Sequence, residues 1–272
     1  MTHTPIEMLS IDVSNYCSKQ CPFCYNHSSR QGLVEWQPGE LVRFASDCVR
    51  HGVKAVSLGG GEPFEYEGLF EVIEALYPLC YLSVTSNGLP LLRPEMQNRL
   101  KLAHPDKIHL TIHHPDHADE VNRCLQQTEL IRSLGIKPGI NLMVGADSVE
   151  AARNAYRQLT RTLDADQIIL VPQRFGNTPS AKALGLVAGG RRSKVRRACC
   201  RAMCRRISPP SHGTRRPDAA VSPKARPHSP HSTSPASRQP WLKRKAHSIV
   251  VSKRRNEFIV KQKWVQGFGH PA

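Results

Sequence analysis

Ala55-Val56-Ser57-Leu58-Gly59-Gly60-Gly61-Glu62-Pro63 is the stretch from which the fold can be read outward. A short apolar run that breaks into glycines reads as a buried strand opening into a loop. The glycines let the backbone approach a ligand closely, and they place Glu62 at the strand's carboxyl end as an exposed acceptor. The same alternation recurs on both sides. Strands are predicted at Glu7–Val13, Ala55–Leu58, Tyr81–Thr85, Lys107–Ile112, Lys137–Val144 and Gln167–Val171. Helices are predicted at Glu40–Arg50, Gly68–Leu76, Pro94–Ala103, Ala118–Leu134 and Ser148–Leu163, with Ser148 as an N-cap and Gly135 suited to a C-cap. Repeated βα units imply a parallel sheet with helices outside it. Six such units do not close an eight-stranded barrel, so the expected fold is α/β, a partial (βα)6 TIM-like barrel over residues 1–184. In such barrels the active site lies at the carboxyl ends of the strands.

Upstream, Cys17-Ser-Lys-Gln-Cys21-Pro-Phe-Cys24 sets three thiols in the loop after the first strand. The start, Met1-Thr-His-Thr-Pro, has neither a basic n-region nor an apolar h-region, so nothing argues for export or for a disulfide framework. The protein is expected in the reducing cytoplasm, where clustered cysteines serve metals or catalysis. Structural zinc wants four closed ligands, and His27 could complete a Cys3His set. A cubane iron–sulfur cluster is normally held by four cysteines, so three leave one iron open for chemistry.

Taken together, Cys17, Cys21 and Cys24 with Phe23 before the last cysteine, then Gly60-Gly61-Glu62-Pro63, then Thr85-Ser86-Asn87-Gly88, resemble the radical S-adenosylmethionine (radical SAM) enzymes. The resemblance runs from about Met8 to Pro172. It implies that the three cysteines hold a 4Fe–4S cluster whose fourth iron binds the amino and carboxylate groups of S-adenosylmethionine. It also implies that Glu62 accepts a hydrogen bond from the ligand's ammonium, a charge-assisted contact, and that backbone near Phe23 meets the adenine edge. Reductive cleavage would then give methionine and a 5′-deoxyadenosyl radical that abstracts hydrogen from a substrate. A flavodoxin or ferredoxin would supply the low-potential electron.

Further candidates fall on the same rim. Ser86 and Asn87 could contact the methionine or ribose part, or form a plain Asn-Gly turn. His113 or His114 could touch ribose or handle a proton, or be polar rim. Gly139-Ile-Asn141-Leu-Met143-Val-Gly145 resembles an adenine-contacting segment of the family, with Asn141 facing the barrel interior. Val171 ends the sixth strand beside it. Tyr25, Asn26 and His27 could line a substrate pocket or be solvated. Cys48, Cys80 and Cys124 lie in or beside helical patterns and read as packing residues.

Beyond about Leu184 the composition changes. Residues 1–184 carry 17 Lys+Arg and 20 Asp+Glu, whereas residues 185–272 carry 21 and 2, so the formal charge of +16 comes from the tail. An arginine-, proline- and serine-rich segment of this kind cannot bury a core and is expected to be disordered. It could bind nucleic acid electrostatically, or it could be the product of a reading frame shifted near residue 185, the account favoured here. An auxiliary cluster at Cys199, Cys200 and Cys204 is disfavoured, as is nucleic acid as the main partner. No continuous apolar run reaches the roughly 20 residues of a membrane span. The alternative function is a non-catalytic zinc- or other metal-binding protein anchored to nucleic acid by the basic tail.

Overall fold

In the computed structural model, which describes residues 6–189, 194–195, 246–254 and 257–265, strands and helices alternate as the sequence predicts. Strands β1 (Ile6–Ser14), β2 (Ala55–Gly60), β3 (Tyr81–Ser86), β4 (Lys107–Ile112), β5 (Lys137–Val144) and β6 (Ile168–Pro172) pair in sequence order, all parallel. Helices α1 (Pro38–Arg50), α2 (Leu69–Leu76), α3 (Pro94–Leu102), α4 (Ala118–Ser133), α5 (Val149–Leu159) and α6 (Ala181–Val187) follow them in turn. The six strands curl into a half-barrel.

Period-two alternation decides which face does what. Ile11 and Val13, Val56 and Leu58, Leu82 and Val84, Ile108 and Leu110, Ile140 and Leu142, and Ile168 and Leu170 are all wholly inaccessible and form the core with the helices. Burying each such side chain stabilises the fold by about 1.5–3 kcal/mol. The intervening positions are small or polar: Ser10 pairs with Ser57, Ser57 with Ser83, Thr85 with His109, and Thr111 with Asn141. Parallel strands buried on both faces read as continuous apolar runs; β6, Ile-Ile-Leu-Val, does so, whereas β2 to β4 place small or polar residues on the concave face.

Several boundaries move for local reasons. Ser148 stands at the N-cap of α5, but its hydroxyl accepts from the Gly145 amide at 2.9 Å rather than from the helix. The helix stops at Leu159, four residues before the predicted end, where the Thr160 hydroxyl turns back onto the Arg157 carbonyl at 3.0 Å. Gln167 belongs to a short 3-10 turn boxed by Asp164 instead of to β6. Gly135, at φ +76°, closes α4 as predicted: its amide donates to the Arg132 carbonyl and the Ile136 amide to that of Ile131.

The sheet extends past six strands. β7 (Lys194–Val195) pairs parallel with β6, β8 (Ala246–Arg254) parallel with β1, and β9 (Glu257–Val265) antiparallel with β8. Composition had placed these residues in the tail expected to be disordered. The short β-branched run Ile249-Val250-Val251 was hidden there by its basic flanks, and Val251 is buried at the core. The predicted boundary at residue 184 falls within α6, whose Leu184 and Val187 are buried. Cys199, Cys200, Cys204 and the stretch from Pro223 to Pro240 lie outside the described residues.

Candidate active site

At the carboxyl ends of β1–β6 a cavity of about 180 Å³ opens, walled by Cys17, Lys19, Cys21, Phe23 and Cys24 on one side and by residues of all six strands on the other. Its floor is the concave face, with polar Ser10, Asp12, Ser57, Thr85, Thr111 and Asn141 beside apolar Met143 and Val171. Among the site residues expected from sequence, Gly60, Gly61, Glu62, Ser86, Asn87 and His113 also reach this wall. Pro63 does not; it is buried at the start of a 3-10 turn.

Cys17, Cys21 and Cys24 are free, partly exposed thiols on the β1–α1 loop. The loop is held by its backbone: the Cys17 amide donates to Ser29 at 3.0 Å and the Cys24 amide to Cys21 at 3.1 Å. Burial pushes the Cys17 thiol up and that of Cys21 up to about 11, with the neighbouring thiols adding repulsion at Cys21. A metal centre that binds here must therefore displace protons. Among the described residues, the metal-capable groups converging within 4.8 Å are His114, Asp116 and His117 on the exposed rim, and the cysteines are not among them. His27 is exposed with φ +50°, its ring 6.2 Å from that of Phe175, and it does not join the cavity wall.

The glycine run works differently from expectation. Gly60 has φ +104°, and a Cβ there would lie 2.5 Å from the Ser14 carbonyl oxygen. A Cβ on Gly61 would lie 1.9 Å from the Tyr16 carbonyl oxygen. These two glycines admit the chain's own cysteine loop, which receives the Gly61 amide on Ser14 at 2.7 Å and the Glu62 amide on Tyr16 at 2.9 Å. Gly59 alone of the three has open space before it. Gly61→Ala is expected to cost roughly 3 kcal/mol or more through forced backbone displacement, while Gly59→Ala folds and narrows the cavity; equal melting temperatures for the two variants would contradict this.

Glu62 is buried, not exposed as predicted, with 1% of its surface accessible. It accepts from the Phe64 amide at 3.1 Å, the Ser86 hydroxyl at 2.8 Å and the Asn87 amide at 2.7 Å, tying the β2 loop to β3. Burial raises its pKa to about 7 despite these donors. A carboxylate offers about four acceptor sites, so one remains, on Oε2, and Glu62 lines the cavity. The Ser86 hydroxyl also accepts from the Gly88 amide, leaving it little for a ligand. Asn87 directs its side-chain amide at the Cys17 sulfur, 3.8 Å away. On β5, Asn141 faces the interior as expected, 4% exposed with its Oδ1 lacking any partner. A buried unpaired carbonyl oxygen in a cavity wall is a site prepared for a ligand donor.

Sequence analysis did not single out a network that stands beside the cysteines. The Lys19 ammonium donates to Glu120 of α4 at 2.5 Å and lies 3.1 Å from the His113 ring. Glu120 also accepts the amides of His113 and His114. Burial pushes Glu120 up, but hydrogen bonds from His113 and Lys19 outweigh it and hold the carboxyl below the usual range. Burial lowers the pKa of His113, whose ring stacks on Phe23 at 6.0 Å. Arg123 reaches the Asn87 carbonyl and Gln127 that of Gly88. The one legible signal was Glu120, Arg123 and Gln127 recurring on the face of α4 that also holds Cys124 and Thr128. Tyr25 is 41% exposed and donates to Asp12 at 3.3 Å, and buried Asn26 donates to the Ser14 carbonyl at 3.3 Å, so both fasten the loop. Cys80 and Cys124 are buried and Cys48 partly so, as expected of packing residues.

Known proteins carry related sequences and folds. A probable GTP 3′,8-cyclase of Saccharolobus solfataricus is 25% identical over 178 residues, 61% of this chain and 57% of the relative. Another, of Methanocella arvoryzae, is 34% identical over 83 residues, covering 30% of this chain and 27% of the relative. The chain thus spans less than two thirds of the curated relatives it matches. The crystal structure of Streptococcus suis SuiB bound to S-adenosylmethionine superposes with a TM-score of 0.55 at 19% identity, over 68% of this chain and 46% of SuiB. The structure of anSMEcpe with bound AdoMet gives 0.51 at 14% identity, over 71% and 62%. These two show a shared fold. The Radical SAM superfamily profile matches residues 11–150, about half of the chain and all of the cysteine, glycine and β5 segments described above. The chain belongs to the Radical SAM superfamily, a family of enzymes that use S-adenosylmethionine with an iron–sulfur centre.

Proposed function

We propose that this protein binds a 4Fe–4S cluster through Cys17, Cys21 and Cys24, cleaves S-adenosylmethionine reductively, and abstracts hydrogen from a substrate. The observation that carries the proposal is the convergence of three free thiols, a buried carboxylate with one acceptor site left, and an orphaned Asn141 oxygen on one cavity. When bound, the reduced cluster supplies the electron that splits the sulfonium bond and yields the 5′-deoxyadenosyl radical.

The chain's own residues do the rest. Glu62 receives the ligand's ammonium, a charge-assisted contact favoured in a water-poor cavity. Asn141 Oδ1 accepts an N–H, as the exocyclic amine of adenine provides, and Phe23 shields the same wall. Asn87 directs an N–H at a cluster sulfur. Val171 and Met143 would form the apolar part of the wall against the ligand. A flavodoxin or ferredoxin of the reducing cytoplasm is the proposed electron donor, and no helix among the described residues is long and apolar enough to cross a membrane.

Anaerobically reconstituted full-length protein is expected to be brown, with broad absorbance near roughly 400 nm from the cluster thiolates. It should release 5′-deoxyadenosine when given dithionite and S-adenosylmethionine. A colourless, zinc-loaded preparation that retards DNA would instead support a non-catalytic metal- and nucleic-acid-binding protein.

A further inference from the structure

Lys19 lies between two of the cysteines, and its side chain is largely buried: it is 16% exposed and Glu120, 9% exposed, holds the ammonium at 2.5 Å. His113 Nδ1 stands 3.1 Å from the same nitrogen, and Arg123 approaches Glu120 at 3.7 Å. A second carboxylate, Glu65 from the turn after the glycine run, accepts the amide of the adjacent Ser18 at 2.9 Å. Two acids, Glu65 from the turn after β2 and Glu120 from the first turn of α4, thus grip consecutive residues of the cysteine loop. Surface ion pairs contribute little because water screens them. Here Lys19 and Glu120 are sheltered beside the cavity, where charges act over longer range.

Resting on the function proposed above, we propose that the Lys19–Glu120 pair sets the reduction potential of the cluster. Reduction adds one negative charge to the cluster. Lys19 favours the more negative, reduced state, and Glu120 opposes it while fixing where the ammonium stands. Cluster potentials are tuned by net charge and hydrogen bonding around the sulfurs. Lys19 lines the same cavity as Cys17, Cys21 and Cys24, so its charge faces the site that the thiols share. Lys19 is a positioning and charge-setting residue, one that need not touch substrate.

The test is a redox titration followed by electron paramagnetic resonance on the anaerobically reconstituted full chain. Lys19→Met should shift the midpoint negative, leaving about tenfold less reduced cluster at a fixed potential. Glu120→Gln should shift it positive, Lys19→Arg should leave it near the wild type, and the Lys19→Met/Glu120→Gln double variant should return toward it. Opposite shifts of the two single variants cannot come from a general loosening of the loop, which would lower iron content in both. Unchanged or parallel midpoints in proteins that retain the cluster overturn this inference alone. A wild-type chain that takes up no cluster overturns the proposed function beneath it.

Discussion

Cys21→Ala is expected to abolish cluster binding, with iron and sulfide falling to background after anaerobic reconstitution, while Cys124→Ala retains both. Cys21 is in the cavity wall, and its thiol must lose a proton that burial holds up to about 11. Only the free energy of metal–thiolate bonds offsets that cost, so two remaining thiols do not suffice. Cys124 lies on α4 with no accessible surface, packed into the core. Its sulfur contributes volume, and its removal should cost roughly 1 kcal/mol. Equal cluster content in the two variants would refute the ligand assignment.

Glu62→Ala is expected to destabilise the fold by about 3 kcal/mol, because it strands the Phe64 and Asn87 amides and the Ser86 hydroxyl. The β2 loop would lose its tie to β3, and with it the position of Asn87 against Cys17. Glu62→Gln restores the volume but only one acceptor oxygen, so it should recover part of the loss. The sign of the pH effect follows from the raised pKa. Between the ordinary carboxylate value of 4.5 and about 7 the folded protein holds a proton that the unfolded chain has released. The contribution of Glu62 to stability is therefore complete below that window and lost as pH rises through it. Urea midpoints of the wild type should fall across this window more than those of Glu62→Gln. Parallel pH profiles would show that Glu62 does not titrate there.

The βα alternation was open to sequence reading because both of its signals are local. Val56 and Leu58 lie on one face of β2 and Ser57 and Gly59 on the other, so the strand's two environments are written at period two. The cysteine triplet was equally legible, since its spacing within one loop suffices to gather three thiols. Gly60 and Gly61 line the cavity, and their missing Cβ atoms also make room for Ser14 and Tyr16, a second demand that the sequence alone does not reveal. Composition also hid β8 and β9, because charge averaged over the tail outweighed one short β-branched run.

What the residues determined alone was the order of strands, the rim on which chemistry is placed, and the thiols that stand there. Tertiary structure decided how that rim is held. Lys19 meets Glu120 across about a hundred residues of chain, and Ser18 meets Glu65 across 47. The pairing itself leaves no mark in either segment: Glu120 recurs with Arg123 and Gln127 on one face of α4, but nothing near it in sequence names Lys19 as its partner. Only when the parallel sheet brings four separate loops to one end does water leave, and only then do those charges acquire an influence on the centre between them.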